Sequence, residues 1–269
     1  MRIYIPTYRR VDNQLTLEHL PKEILSNVIL VVQKQEENMY DKYDVEKMIV
    51  GNDIGIARTR ELIYRHAGNN RFGMIDDDIK MYRRNGKYYG QSSNMDMSKR
   101  LMTLEDWEYW FKEVNRLFDE GAIHIGNREI ALPPYGEQYY NFKHILGVHW
   151  LDGSKLSEFI DEVDWELAQV GEDLVLTLEC LMRGYKNIIS DEIIMARWDT
   201  AFEEGGCAEF RTDEMNNAEM MKIAKVYPFV TALNKYDDMK HIGSIRRFKV
   251  DCKSAYESYS TSTLEEFYA

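Results

Sequence analysis

Three consecutive aspartates, Asp76, Asp77 and Asp78, follow the apolar run in "RFGMIDDDIKMY". Alternate residues of an extended segment point the same way, so Asp76 and Asp78 are expected to face one side and Asp77 the other. Two carboxylates converging at a strand end make a hard-oxygen site for Mg²⁺ or Mn²⁺, completed by waters and the phosphates of a nucleotide. Such a cation would offset the repulsion among three like charges. On these residues alone a solvated acidic turn remains the alternative, because Asp side chains also satisfy loop donors. A second acidic pair, Glu172 and Asp173, opens "GEDLVLTLECLMRGYKN" in the first turn of an expected helix, where the macrodipole favours carboxylates. A rigid, ionised carboxylate there also suits a general base; Asp173 is the favoured residue and Glu172 the second.

Cationic and aromatic residues accompany these acids. In "NDIGIARTREL", Gly55 adjoins a helix N-terminus and Arg58 and Arg60 lie in its first turns, where N–H and guanidinium groups can meet phosphate oxygens. Residues two apart do not share a helix face. Arg58, nearer the helix start, is expected at the ligand, and Arg60 at the surface beside Glu61 or Asp53. In "IPTYRR", Pro6 and Thr7 can turn the backbone towards a nucleobase or ribose, Tyr8 offers a stacking face and Arg9 a phosphate contact.

The elements that must position these groups follow from periodicity. "RIYIP" and the continuous apolar run "NVILVVQ" read as strands, separated by a capped helix in "VDNQLTLEHLP" that ends near Pro21. "MIVGNDIGIARTRELIYRHAG" gives a short strand, a cap at Asn52 or Asp53, and a helix stopping at Gly68; "RFGMIDD" is a fourth strand. Such alternation predicts an open parallel sheet that gathers ligands beyond the carboxyl ends of its strands. Pro6 to Arg9, Gln33, Gly51 to Gly55 and Asp76 to Asp78 would then share one rim. Residues 83–100 read as a polar excursion or hairpin, and "LEDWEYWFKEVNRLFDEG" as a helix closing at Gly121. "AIHIGN" and "HILGVHWLD" look like short strands, and "IISDEIIMARW" a strand after the helix that Glu172 opens. No linker or repeat divides the 269 residues, so one main domain is expected.

Composition narrows the classes. No apolar run approaches the length needed to cross a bilayer, and "MRIYIPTYRR" lacks the build of a secretory signal, so a soluble, cytoplasmic protein without membrane contact is expected. Cys180, Cys207 and Cys252 are expected to be reduced thiols. A net charge of −12 argues against a generally basic nucleic-acid surface but leaves room for a local groove. "IPTYRR" lacks the glycine-rich loop that a nucleotidyltransferase should carry after its first strand, which counts against phosphoryl transfer.

As a set, "IDDD" and "GEDLVLTLECLMRGYKNI" resemble the metal motif and base motif of inverting nucleotide-sugar glycosyltransferases of the A-type fold. "IYIPTYRR", "GIARTREL", "MIDDDI" and "EEGGCAEFR" narrow the resemblance to the phage-encoded TET-associated glycosyltransferases, which act on hydroxymethylpyrimidines in DNA. The resemblance implies an α/β fold with a Rossmann-like nucleotide-binding half and a mixed central sheet, plus a small helical and basic C-terminal extension. It implies a catalytic domain over residues 1–200, divided into a nucleotide-sugar half (1–80) and an acceptor half (81–200), with a mobile loop and extension over 201–269. Metal ligands would be Asp76 and Asp78; donor contacts would be Pro6, Thr7, Tyr8, Arg9, Gln33, Gly55, Arg58, Asp76 and Asp77, with Gly205 and Gly206 on the loop nearby. "LGVHWLDG" resembles an acceptor wall, giving His149, Trp150 and Asp152. Duplex DNA would meet Arg83 and Arg84 in the excursion and Arg246, Arg247 and Lys249 in the tail. The implied reaction moves a sugar from a nucleoside diphosphate donor, expected to be a UDP-sugar, to the hydroxyl of 5-hydroxymethylcytosine. It runs with inversion and with Mg²⁺ or Mn²⁺. A glycan, protein or small-molecule acceptor is the alternative.

Overall fold

In the computed structural model, which describes residues 1–84, 99–133, 136–197, 205–206, 212–232 and 248–260, the apolar run Val28–Gln33 forms β2, buried along its whole length. That is the pattern of a strand covered on both faces. It pairs in parallel with β1 (Arg2–Thr7) and β3 (Glu46–Val50), and β1 pairs in parallel with β4 (Arg71–Ile75). All four expected parallel strands therefore end at one edge, which places Thr7, Gln33 and Ile75 along a common rim.

Beyond β4 the direction reverses, because β9 (Val148–Asp152) runs antiparallel to both β4 and β7 (His124–Glu129). β7 is parallel to β10 (Asn187–Arg197), which in turn is antiparallel to β5 (Ile79–Arg84), and β5 is antiparallel to β6 (Lys99–Leu101). With β8 (Tyr139–Asn141) also on β10, the ten strands make one mixed sheet in the order β3-β2-β1-β4-β9-β7-β10-β5-β6. The fold is thus α/β with a large mixed central sheet. Residues 85–98, the body of the excursion expected between β5 and β6, lie outside the described residues.

The register of β10 shifts between Ser190 and Ile194. The bulge lets β10 bind β8 before it and β5 after it, and it turns Asp191 and Glu192 inward, where they meet arginines. Arg83 donates to Glu192 and Asp106, and the buried Arg84 lies 3.3 Å from Asp191 and donates to the Leu132 carbonyl. Both side chains are tied into the bulge, which corrects the expectation that they offer free charge to DNA.

The single helix expected between β1 and β2 is two short ones, α1 (Leu15–Glu18) and α2 (Lys22–Leu25). The break falls at Pro21, which cannot continue a helix and opens α2 instead; within α1, the Thr16 hydroxyl binds the backbone at Asp76 and Ile79 and its N–H donates to the Asp77 carbonyl. α1 thus clamps the aspartate turn. α3 (Ile56–Ala67) starts at Gly55, not at Asn52 or Asp53, and stops at Gly68, whose φ of 56° suits glycine. α4 (Leu104–Asp119) opens on a Thr103/Asp106 capping box. α5 (Gly153–Leu156) is a single turn, and α6 (Glu172–Met182) follows Gly171 with no side-chain cap.

Alternation along the strands builds one core on each face of the sheet. Tyr4, Ile29 and Val31 join α3 and α6 on one face; Ile3, Ile5, Leu30 and Trp150 join Trp107 and Trp110 of α4 on the other. The C-terminal elements α7 (Asp213–Val226), β11 (Val230–Ala232), β12 (Phe248–Val250) and α8 (Cys252–Ser258) add Ile223, Val230 and Ala255 to the α6 side. Among the described residues no helix is long and apolar enough to cross a membrane.

Candidate active site

Arg60 is the residue on which the site turns. It occupies the inward stripe of α3 with Ile63, Tyr64 and Ala67, all buried. Its guanidinium lies 2.9 Å from Asp76 at the end of β4, 3.2 Å from Glu172 at the start of α6, and 3.2 Å from Nε2 of His149 on β9. The two acidic motifs, nearly a hundred residues apart in sequence, therefore meet on one cation. Burial alone would lower the Arg60 pKa, but the carboxylates of Glu172, Asp76 and Asp173 outweigh it and hold the charge in place. Arg58, expected to be the ligand-facing member, is more than half exposed and pairs with Glu61 one turn on. Arg60 is thus buried within the site, not at the surface where it was expected, and Arg58 is exposed near the helix start. Helical period explains it: Arg60 is four residues after Ile56 and four before Tyr64, inside the apolar stripe, whereas Arg58 is on the opposite side.

The aspartates occupy a turn, where strand alternation does not apply. Asp77 accepts from the Thr7 hydroxyl at 2.7 Å and from Arg10 at 2.5 Å, and the same Arg10 nitrogen lies 3.2 Å from Asp78. Arg10 and Arg60 therefore answer the repulsion within the protein itself. Asp77 is buried and its carboxyl is pushed up to about 7, by burial first and against the pull of Arg10. Its partners make it a brace between β1 and the turn, which corrects its expected contact with the donor.

Asp76 is the most accessible of the three, its side chain 27% exposed. The Asp78 pKa is raised by burial first and then by the charge of Asp76. Asp76 and Asp78 are hard oxygen donors on one turn, the type that a divalent cation with water and phosphate as its other ligands takes, and each is paired with an arginine in this structure. Among the described residues no group of three or more His, Cys, Asp and Glu side chains is placed to hold a metal ion, so the protein donors would be Asp76 and Asp78 alone.

Around this turn the rim takes shape. Pro6 and Thr7 are buried at the end of β1, Tyr8 is half-buried and Arg9 is exposed with its guanidinium over the Tyr8 ring at 4.9 Å. The Arg9 N–H donates to the Glu36 carboxylate, fixing a backbone with φ of 54°. Buried Gln33 donates to the Ile54 carbonyl at 2.8 Å and so holds the loop that leads to Gly55. Gly55 is exposed with open space where a side chain would stand, leaving the first turn of α3 accessible. Gly206 donates its N–H to the Tyr8 carbonyl at 2.8 Å, and a Cβ on Gly205 would lie 2.5 Å from the Arg9 carbonyl oxygen. Both glycines thus pack on the loop expected to meet the donor.

The pair on α6 is split by its surroundings. Glu172 is buried against Arg60, and burial raises its pKa in spite of that partner. Asp173 lies 3.1 Å from Nε2 of His144; burial works to raise its pKa, but His144 and Arg60 together hold it below the usual carboxylate range. Adjacent carboxyls driven apart in this way acquire different roles. Asp173 is the one kept ionised. His144 and Arg10 were not singled out by sequence; "YRR" offered Arg10 no distinguishing period, and His144 sits in an irregular segment.

The acceptor residues expected on β9 are elsewhere than a cleft. His149 and Trp150 are both 0% exposed and Asp152 is buried. Trp150 packs on Trp107, Trp110 and Phe111 and donates to Asn127, while Asp152 caps α5 and neighbours Arg71. The reason is that β9 is an interior strand, covered on both faces. Of the tail residues, Lys249 is exposed on β12, and Arg246 and Arg247 lie outside the described residues.

His149 instead forms a stacked pair with His124, with 3.0 Å between Nδ1 of His149 and Nε2 of His124. Arg60 has only donors, so His149 Nε2 must accept, its Nδ1 must carry the proton, and His124 Nε2 accepts in turn. Burial first, and Arg60 next, depress the His149 pKa; burial brings His124 down to about 3. Both rings stay neutral in the fold while an unfolded chain protonates them below about pH 6.5. Their stability contribution is therefore complete above that pH and falls as pH drops towards the folded values. Thermal melts should show a loss of roughly 2 kcal/mol per imidazole between pH 7.5 and 5, and His124→Asn should flatten that slope. Equal pH slopes in wild type and variant would show that the pair is not the source.

A family model for TET-associated glycosyltransferases matches residues 1–206. No curated protein matches the sequence. Among solved structures, a UDP-glucose pyrophosphorylase complexed with UDP-glucose is similar at a TM-score of 0.44 and 11% identity, over 74% of this chain and 92% of that one. UTP-bound UGPase from Acinetobacter baumannii follows at 0.37 and 9%, over 73% and 85%, and A197 from STIV at 0.36 and 13%, over 74% and 86%.

Proposed function

Because the chain belongs to the TET-associated glycosyltransferase family and is a sugar-transferring enzyme, we propose that it moves a sugar from a nucleoside diphosphate, a UDP-sugar, to the hydroxymethyl group of 5-hydroxymethylcytosine in duplex DNA, with inversion. The observation that carries this reading is the convergence of Asp76 and Glu172 on Arg60, with Asp173 alongside. Donor and base motifs so joined serve one displacement.

In that displacement Asp173 takes the proton of the acceptor hydroxyl as its oxygen bonds to the anomeric carbon. The bond from that carbon to the diphosphate breaks on the opposite face, and the configuration inverts. Helix α6 holds Asp173 rigidly, and His144 with Arg60 keeps it ionised. Tyr8, Arg9 and the open first turn of α3 at Gly55 border the donor's base, ribose and phosphates. Mg²⁺ or Mn²⁺ held by Asp76 and Asp78 would supply charge neutralisation for the departing diphosphate.

The test is incubation with hydroxymethylcytosine duplex DNA and a panel of nucleotide sugars, read by nucleoside mass. The expected result is a mass gain of one sugar residue with one donor, absent on cytosine DNA. Donor hydrolysis without any mass gain across the panel would move the acceptor to a glycan, protein or small molecule.

A further inference from the structure

A cavity of about 450 Å³ opens between the C-terminal half of β7, the start of β10 and the segment after β8. It is not on the strand expected to form the acceptor wall. One wall carries His144, the partner of Asp173; another carries Met195, and a Cβ added to Gly147 would lie 3.7 Å from the Met195 sulfur and 3.4 Å from an Asp76 oxygen. The cavity is thus joined to the base through His144, which lines it and lies 3.1 Å from Asp173.

Its lining suits a planar, polar heterocycle. Arg128 is fixed by the Tyr140 hydroxyl at 3.0 Å and the Pro133 carbonyl at 2.8 Å, with its guanidinium 5.3 Å over the Tyr140 ring. Phe142 lines the cavity with φ of 60°, a backbone region costly for a bulky aromatic residue. Asn187 maintains it there: its carbonyl oxygen accepts from the Phe142 N–H at 2.9 Å and its amide nitrogen donates to the Lys143 carbonyl. One side of the ring is held by Tyr256 of α8, 5.1 Å between centroids, and the ring also lines the cavity. Lys143 is exposed and lines the cavity, as do Val250 and Cys252, both beyond the residues matched by the family model.

We propose that this cavity receives the acceptor pyrimidine turned out of the duplex, stacked on Phe142, with Lys143 beside the flanking phosphate; the proposal rests on the glycosyl-transfer reading above. A space of this volume is in the range of small-molecule sites and cannot admit a DNA helix, so the base must leave the stack to bring its hydroxymethyl group to Asp173. The C-terminal extension then supplies part of the wall that judges the base.

The experiment uses full-length protein, a UDP-sugar accepted by the wild type, and duplex DNA with one hydroxymethylcytosine beside 2-aminopurine. For Phe142→Ala, loss of one stacking face should raise KM for DNA by about tenfold to a hundredfold. Phe142→Leu, close in volume but without a π-face, should behave the same, and Phe142→Tyr should restore KM. UDP affinity reports that each variant is folded. The wild type should brighten 2-aminopurine on binding, and Phe142→Ala should not. Wild-type KM and full brightening in folded Phe142→Ala and Phe142→Leu would overturn the cavity assignment while the DNA reading stands. Failure of the wild type to modify any DNA would overturn both.

Discussion

Asp173→Asn is expected to lower the rate of sugar transfer by about 10² to 10⁴-fold while the affinity for the sugar nucleotide stays within about twofold. The substitution keeps size and one oxygen, so the acceptor for the Leu174 N–H, 2.7 Å from Oδ1, is preserved and α6 should start as before. What it removes is the carboxylate of the α6 pair whose surroundings favour charge. Glu172 cannot replace it, because burial raises its pKa and its oxygens are engaged by Arg60 and the Gly171 N–H. Glu172→Gln should therefore act through the position of Arg60, with a loss in stability as well as in rate. Single-turnover transfer and UDP titration together decide the matter. A folded Asp173→Asn enzyme with wild-type turnover would take this carboxylate out of the proton transfer.

The parts of this site that sequence made legible are those whose signal is local. A continuous apolar run marks β2, a 3.6-residue stripe marks α3 and α4, and acids after a strand or at a helix start mark Asp76 and Asp173. Strand direction was not local: β9 enters between β4 and β7 only in the folded sheet, and that insertion is what buries His149 and Trp150. A hydrophobic strand bearing His and Trp is equally consistent with a cleft wall and with an interior ladder. The bulge in β10 worked the same way on Arg83 and Arg84, since nothing near them in sequence announces that Asp191 and Glu192 will turn inward to meet them. Arg60 was different, because its place was readable. An arginine in step with Ile56, Ile63 and Tyr64 must either break the apolar stripe or have buried acids waiting for it, and both acidic motifs were already in view.

Arg60 therefore carries the second large prediction. Removing one partner from a buried charge cluster leaves the others uncompensated, at a cost of about 3 to 5 kcal/mol, whereas the half-exposed Arg58 pair with Glu61 contributes no more than about 0.5 kcal/mol. Arg60→Ala should thus lower the melting temperature by roughly 6 to 20 °C and abolish transfer, and Arg58→Ala should do neither. Arg60→Lys separates charge from geometry. An ammonium keeps the positive charge but cannot reach Asp76, Glu172 and His149 at once as the planar guanidinium does, at 2.9, 3.2 and 3.2 Å. That variant should fold, bind UDP, and lose about tenfold to a hundredfold in kcat, because an error near 1 Å between donor and base is enough for such a loss. A double-mutant cycle of Arg60→Met with Glu172→Gln should show a coupling of about 1 kcal/mol or more, since removing both charges relieves the penalty of removing one. Wild-type kcat in Arg60→Lys, or strict additivity in the cycle, would mean that the two motifs lie side by side without being held by this cation.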